Sequence, residues 1–289
     1  MQSKRVLLAV LLLSIGLGVP MNARAEYEIG LSMYSLRQLF QSGELHALDY
    51  PAFAKETFGI TKIDVWDGGF PDDRKNDSEF FKELKQRADL AGSEIFLVMT
   101  GVVDAVTDQP VQLKANGLAH QFAVDQAVLL GADYVRVFLK ANDAISTREA
   151  IHRCLLALRP LADYAATRDV IIVIEPGTSK RTKLGRFLAQ VVDQLDHPNC
   201  RLMPDFGKMQ GTDVVQGTID MMPYTEVVSA KTHNFDAAGE EMNLDYAELM
   251  KAVQDSGFSG IIAIEYEGEK MEPIKGVRAT QALLEKYRN

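Results

Sequence analysis

Cysteine is scarce in this chain, because only Cys154 and Cys200 occur among its 289 residues. So few thiols in a chain of this length exclude a disulfide scaffold, whose domains are small and rich in cysteine. Cys154 falls in a helical pattern and Cys200 begins a strand pattern. We predict two buried thiols, and a disulfide between them stays open as the alternative for an exported protein.

Basic residues are also in deficit, since 31 Lys and Arg stand against 40 Asp and Glu and give a net charge of -9. Nucleic-acid-binding proteins need a basic surface, so this balance argues against DNA or RNA as a partner. It argues equally against adsorption to anionic membranes. The charge becomes -12 if residues 1–25 are removed, because they contain Lys4, Arg5, Arg24 and no acidic residue.

Apolar runs long enough for a membrane span are lacking after the N-terminus. Lys4 and Arg5 precede an apolar stretch at 6–19, and residues 23–25 fit the small-residue cleavage pattern of a secretory signal. That stretch is short for a transmembrane helix, although an uncleaved anchor is the alternative. We expect a signal peptide at 1–25, a single domain at 26–289 and no stable membrane insertion. The protein is then exported, to the periplasm if the source is a Gram-negative bacterium.

The rest of the chain alternates between apolar strand-like runs and amphipathic helix-like patterns, which is typical of βα units on a parallel sheet. A doubly wound open sheet needs a glycine-rich phosphate loop after its first strand, and MYSLRQLFQSG offers none. Helical patterns lie at 78–91, with Ser78 as the N-cap, and at 115–130, 147–167, 182–195, 243–256 and 275–287. The predicted strands lie at 27–33, 60–66, 94–99, 133–139, 170–175, 200–205, 226–232 and 260–265. Eight strands predict an α/β fold, a (β/α)8 TIM barrel.

Four polar residues recur about every 30 residues, roughly the length of one strand-plus-helix unit. They are Glu175, Asp205, His233 and Glu265, and each ends or shortly follows an apolar run. A parallel barrel gathers its strand ends on one face, where such enzymes place their chemistry. Three carboxylates and an imidazole there predict a site for a divalent metal. Structural pairing of each carboxylate, and a solvated His233, are the alternatives.

Further polar residues lie within or at the end of predicted strands. Lys231 and Arg136 interrupt apolar runs, where a cation is costly unless it is paired. Either could bind a substrate oxygen or take part in a structural ion pair. Asp64 and Trp66 end the second predicted strand, and the sole Trp could stack on a sugar ring or pack in the core. All four are candidate substrate-binding residues.

The ordered motifs IEPGTS, MPDFGK, AKTHNF and IEYEGE resemble those of the xylose isomerase-like TIM barrels, which include sugar phosphate isomerases and epimerases. The resemblance implies a divalent metal, such as Mn²⁺, Mg²⁺, Co²⁺ or Zn²⁺, held by Glu175, Asp205, a histidine of the seventh strand and Glu265. In the ketose epimerases of this group the two matching glutamates also move the proton. The zinc-cluster endonucleases of the superfamily use more histidines than this acidic chain contains.

Two positions depart from the family pattern. Lys208 stands where many members have a histidine after the sixth strand, and alignment on Lys231 puts Ser229 where the ligand histidine belongs. The sequence predicts a metal-dependent isomerase or epimerase that acts on a carbohydrate or polyol through an enediolate. A lyase or hydrolase acting on a keto-glycoside is the first alternative, and a non-catalytic sugar-binding barrel is the second. A homodimer is compatible with the sequence.

Overall fold

A computed structural model describes residues 27–209 and 214–288, so the predicted signal peptide lies outside the described residues. Eight strands follow one another along this part of the chain, each at the position of a predicted strand, and the third extends to Ala105, beyond its predicted end at 99. They are β1 (Glu28–Leu31), β2 (Lys62–Trp66), β3 (Glu94–Ala105), β4 (Tyr134–Ala141), β5 (Ile171–Glu175), β6 (Cys200–Leu202), β7 (Val227–Thr232) and β8 (Ile261–Tyr266). The predicted TIM barrel is confirmed.

The strands form one parallel sheet in the order β6-β5-β4-β3-β2-β1-β8-β7. Its two outer strands meet at a seam, where isolated bridges pair Leu202 with Thr225 and Asp205 with Ser229. β6 is shorter than predicted and ends before Pro204, which has no backbone N–H to give to a ladder. The barrel therefore closes through a few contacts at the seam rather than through a long strand pair.

Helices cover the outside of the sheet. They are α1 (Arg37–Ser42), α2 (Tyr50–Phe58), α3 (Ser78–Ala91), α4 (Pro110–Leu118), α5 (Gln121–Leu130), α6 (Thr147–Ala166), α7 (Gly185–Leu195), α8 (Val214–Met221), α9 (Tyr246–Asp255) and α10 (Pro273–Arg288). Short 3-10 helices occupy Met33–Leu36, Asp67–Gly69 and Met222–Tyr224. No helix among the described residues is both long and apolar enough to span a bilayer.

Two helix boundaries differ from the sequence prediction. The N-cap of α3 is Asp77, whose carboxylate accepts a hydrogen bond from the N–H of Glu79, so the prediction of Ser78 was wrong by one residue. The predicted helix at 115–130 is two helices with a break at Ala119 and His120. A close approach to α6 accompanies the break, because a Cβ on Gly117 would lie 1.9 Å from the carbonyl oxygen of Ala157.

Side chains along each strand alternate between the outside of the barrel, where they pack against the helices, and the barrel interior. Outward residues such as Ile172 and Ile174 pack beneath the helices, as do the free, buried thiols of Cys154 and Cys200. Inward residues form a smaller apolar cluster: Phe96, Leu97, Met99, Val173, Met203, Val227 and Ala263. Because side chains two positions apart share a face, the inward residues that follow this cluster are Glu175, Ser229 and Glu265. The apolar interior is thus the floor of a polar site at the carboxyl ends of the strands.

Candidate active site

Strand register brings the central polar residues together at the carboxyl end of the barrel. Lys231 on β7 pairs with Glu265 on β8, and Ser229 on β7 faces Asp205 across the seam. Glu175 is the last residue of β5. Ligand atoms of Glu175, Asp205 and Glu265 all lie within 4.8 Å of one another, and the three side chains are buried. We call these three residues the acidic triad, and by charge and spacing it could hold a metal ion.

The ammonium of Lys231 lies against two members of the acidic triad. Its Nζ is 3.2 Å from Oδ2 of Asp205, 3.2 Å from Oε1 of Glu265 and 2.5 Å from Oε1 of Glu267. Lys231 is only 2% exposed, so water does not screen these contacts appreciably. Buried positive charge is thus already present at the acidic triad.

The Ser229 hydroxyl connects the same two carboxylates. Its Oγ lies 2.8 Å from Oδ2 of Asp205 and 2.5 Å from Oε2 of Glu265. A hydroxyl has one hydrogen, so it donates to only one of them at a time. Oδ1 of Asp205 accepts the backbone N–H groups of Gly207 and Lys208 at 2.9 and 2.7 Å. All four carboxylate oxygens of Asp205 and Glu265 therefore have polar partners.

Glu175 is bound differently from its neighbours. Its Oε2 lies 3.0 Å from Nε of Arg136, which forms an ion pair without an aligned hydrogen bond. Arg136 is held in turn by the carbonyl of Thr100 at 2.8 Å and by the ring of Phe138. The other oxygen of Glu175, Oε1, is buried and has no hydrogen-bond partner among the described residues. A buried acceptor without a donor is costly, so this oxygen is the one that a ligand would satisfy.

Burial and neighbouring charges separate the two glutamates electrostatically. Burial raises the pKa of Glu175 to about 8, with Arg136 opposing the rise and the nearby carboxylates adding to it. Burial also acts to raise the pKa of Glu265, but Lys231 and the Ser229 hydrogen bond outweigh it and bring the pKa to about 2. The pKa of Asp205 is raised by burial despite Lys231. Two carboxyl groups with opposite shifts in one site are typical of acid–base catalysis.

The structure does not bring His233 into the acidic triad. It follows the end of β7, where the chain leaves the sheet, and a Cβ on Gly207 would lie 3.3 Å from its Nε2. The carboxylate of Glu241 holds this loop by accepting the backbone N–H groups of His233 and Asn234. Among the described residues, the only group spaced to hold a metal consists of the acidic triad itself.

Asp64 and Trp66 lie on β2. Asp64 is fully buried, its Oδ1 accepts the N–H of Met33 at 2.7 Å, and its Oδ2 has no partner in the described chain. Burial raises the pKa of Asp64 well above its usual value. Trp66 is half-buried and meets the ring of Tyr34 edge to face at 4.9 Å between centroids. Together the two residues offer an apolar surface and a carboxyl group.

Several residues of the site were not predicted as site residues. Glu267 is two positions beyond Glu265, so strand alternation alone could have indicated it. Ser229 was noted only as a departure from the family pattern. Glu241 lies on a loop far from any strand pattern, and its part in the site depends on backbone contacts that carry no sequence signal.

Comparison with known proteins identifies the family. A family model described as xylose isomerase-like TIM barrel matches residues 51–287. The chain belongs to this family. The resemblance of the sequence motifs to the xylose isomerase-like TIM barrels is thereby confirmed. No curated protein matches the sequence.

Solved structures of other proteins superpose over most of the chain. D-psicose 3-epimerase from Clostridium cellulolyticum H10, with D-tagatose, is 15% identical at a TM-score of 0.69, covering 90% of this chain and 98% of its own. The IolI protein with a bound zinc atom is 13% identical at 0.71, covering 90% and 97%. YcjR from E. coli, a 3-keto-D-glucoside 4-epimerase, is 14% identical at 0.66, covering 90% and 100%. At such identities the likeness shows the fold alone.

Proposed function

We propose that the protein is an isomerase or epimerase that acts on a carbohydrate or polyol through an enediolate. The observation that carries this proposal is the buried, unpartnered Oε1 of Glu175 beside Asp205 and Glu265. It lies at the carboxyl end of the barrel strands, where enzymes of this fold place their chemistry. Family membership and the sugar epimerases among the structural neighbours support the substrate class.

Glu175 is the better placed of the two glutamates to take the proton. Both oxygens of Glu265 already have polar partners, whereas Oε1 of Glu175 is free to accept one. In the proposed reaction Glu175 removes a proton from the carbon next to a carbonyl, and the electron pair moves to the carbonyl oxygen. Protonation of the enediolate on either carbon completes isomerisation or epimerisation. Lys231 and Arg136 stabilise the negative charge on the oxygen.

A divalent metal belongs to the proposal as the cofactor that the family implies. The three carboxylates of the acidic triad would hold it; His233, predicted as the fourth ligand, lies outside the group of described residues spaced to hold a metal. One of the neighbours, IolI, has a bound zinc atom. When bound, such an ion supplies a Lewis acid that polarises a carbonyl group. Mn²⁺, Mg²⁺, Co²⁺ and Zn²⁺ are the candidates.

The substrate is proposed to be a free sugar or a glycoside rather than a sugar phosphate. This follows from the predicted signal peptide at 1–25, because phosphorylated sugars are mostly cytoplasmic metabolites. We propose that Trp66 contacts the sugar ring and that Asp64 hydrogen-bonds a hydroxyl group. The proposed location is outside the cytoplasm, in the periplasm for a Gram-negative source.

A lyase or hydrolase acting on a keto-glycoside is the second candidate. This reaction also removes a carbon-bound proton that a neighbouring carbonyl group makes acidic. The proposed export would bring the enzyme into contact with such glycosides. The 3-keto-D-glucoside 4-epimerase YcjR among the structural neighbours supports the keto-glycoside substrate of this candidate, though not its bond-breaking step. Loss of the aglycone, rather than a new stereoisomer, would distinguish it from the first candidate.

The test is proton exchange. The protein is incubated in D₂O with free sugars and keto-glycosides, with and without added metal, and deuterium is located by NMR. Glu175→Gln is expected to lose at least about 10²-fold in exchange rate, the range of general acid–base catalysis. Glu56→Gln, on the exposed face of α2, is the matched control and keeps full exchange. Exchange retained in both Glu175→Gln and Glu265→Gln would refute the mechanism.

A further inference from the structure

We propose that Lys231 is the resident cation of the acidic triad, and that a divalent metal binds there only by displacing its ammonium from Asp205 and Glu265. This inference deepens the proposed function. It rests on that proposal only for the claim that the ammonium of Lys231 serves the reaction. The competition between lysine and metal stands on geometry alone.

The contacts of Lys231 match what an ammonium requires. An ammonium has three N–H donors, and three carboxylate oxygens surround this one: Oδ2 of Asp205, Oε1 of Glu265 and Oε1 of Glu267, at 3.2, 3.2 and 2.5 Å. Lys231 is the penultimate residue of the buried strand β7, on the same face as Ser229. Lys231 is thus ion-paired with three carboxylates where it lies, and it donates hydrogen bonds to Glu265 and Glu267.

The oxygens that a metal needs are already engaged. Hard divalent ions bind through oxygen lone pairs from several carboxylates. In Asp205, Oδ1 accepts two backbone N–H groups and Oδ2 contacts Ser229 and Lys231. In Glu265, Oε1 contacts Lys231 and Oε2 contacts Ser229. Within the acidic triad, only Glu175 offers an oxygen without a partner in the described chain, so a metal would have to displace Lys231 to gain its remaining ligands.

The histidine that the family pattern supplies is also replaced. Ser229 occupies its position, and its hydroxyl joins Asp205 to Glu265 instead of binding a metal. Serine in place of histidine removes a ligand, and the ammonium of Lys231 beside the two carboxylates repels a cation. Both residues therefore weaken metal binding. The positive charge that balances the carboxylates of the acidic triad comes from the protein itself.

The first test measures metal affinity directly. Calorimetric titrations with MnCl₂ and with ZnCl₂ compare the wild type with Lys231→Met, Ser229→His and the double variant Ser229→His/Lys231→Met. Metal content of each purified protein is measured by mass spectrometry. Lys114→Met, on the exposed face of α4 and outside every ion pair of the described chain, is the matched control.

Lys231→Met is expected to bind Mn²⁺ at least about tenfold more tightly than the wild type, or about 1.4 kcal/mol in binding free energy. The double variant is expected to bind more tightly still and to purify with one equivalent of metal. Lys114→Met is expected to match the wild type. Wild-type protein that retains one tightly bound equivalent, with no gain in Lys231→Met, would overturn the proposal.

A second measurement needs no variant that removes the buried charge. With ¹⁵N-labelled lysine, the protected ammonium of Lys231 gives an NMR signal that Lys231→Arg assigns by its loss. We expect the signal to persist until Zn²⁺ far exceeds the protein, and to disappear as the metal binds. Stoichiometric zinc bound with the ammonium signal unchanged would refute the competition.

Deuterium exchange distinguishes a failure of this inference from a failure of the proposed function. If neither sugars nor keto-glycosides exchange deuterium but Lys231→Met gains metal affinity, the resident-cation inference holds and the reaction proposal fails. If exchange occurs but Lys231→Met gains no metal affinity, the inference fails and the reaction stands. Exchange lost in Lys231→Met and regained with Mn²⁺ in the double variant would support both.

Discussion

Replacing Lys231 with methionine is predicted to destabilise the fold strongly and in a pH-dependent way. Two carboxylate contacts at 3.2 Å are each worth about 5 kcal/mol in Coulomb energy at an effective dielectric constant near 20. Desolvation of the lysine offsets much of this sum. Removing one partner of a buried ion pair costs about 3–5 kcal/mol in practice, because the remaining charge is left uncompensated. We expect a loss in unfolding free energy of that size.

The pH dependence tests the cause. In the wild type the pKa of Glu265 is about 2, so its ionised form stabilises the fold above the ordinary carboxyl pKa and that stability is lost toward acid pH. Without Lys231, we expect burial to outweigh the remaining groups that lower the pKa of Glu265, so that the carboxyl group stabilises the fold in its protonated form. The difference in stability between wild type and Lys231→Met is therefore expected to grow from pH 5 to pH 8.

Chemical denaturation followed by circular dichroism at pH 5, 6, 7 and 8 makes the measurement. Lys82→Met is the matched control, because Lys82 pairs with Glu79 at 2.7 Å on an exposed face of α3. Its loss is expected to be at most about 1 kcal/mol, as for surface ion pairs. A loss for Lys231→Met no larger than that of the control, or one that does not change with pH, would refute the reasoning.

Three further outcomes follow from packing and burial. Gly117→Ala places a methyl group 1.9 Å from a carbonyl oxygen of α6 and is expected to lower the melting temperature, whereas Gly101→Ala, with its nearest neighbour at 3.4 Å, is expected to leave it unchanged. Burial raises the pKa of Cys154 and of Cys200 to about 12, so iodoacetamide at pH 8 is expected to modify neither until the protein is unfolded. Glu241→Ala removes the acceptor for four backbone N–H groups and is expected to speed their hydrogen exchange, and an unchanged rate would contradict this.

The strand-borne part of the site could be predicted because strand alternation is visible in sequence. Glu175 and Glu265 end apolar runs on the face that strand geometry turns inward, and Asp205 follows a short run of the same kind. The same rule, extended one residue past the end of β8, would have indicated Glu267, whose N–H still bonds the carbonyl of Thr232 on β7. The length of β6 was overestimated because Pro204 stops the ladder before Asp205.

Loop-borne contacts could not be predicted in the same way. His233 is two residues beyond Lys231 and would share its face if β7 continued, but the strand ends at Thr232. Its placement is set by Glu241, eight positions away, through backbone hydrogen bonds. The lysine at the centre of the site was predicted as a substrate ligand or an ion-pair partner. Its contacts with three carboxylates at once depend on how β6, β7 and β8 converge.

The seam between β6 and β7 links the candidate active site to the closure of the barrel. Three backbone hydrogen bonds, from Glu226 to Leu202, from Ser229 to Pro204 and from Phe206 to Ser229, join the outer strands. The side-chain contact between Ser229 and Asp205, and that between Lys231 and Asp205, span the same gap. The residues proposed to carry out the chemistry also hold the barrel closed. We therefore expect new activities in this scaffold to arise from changes in the surrounding loops, because most substitutions at the seam would destabilise the closed barrel.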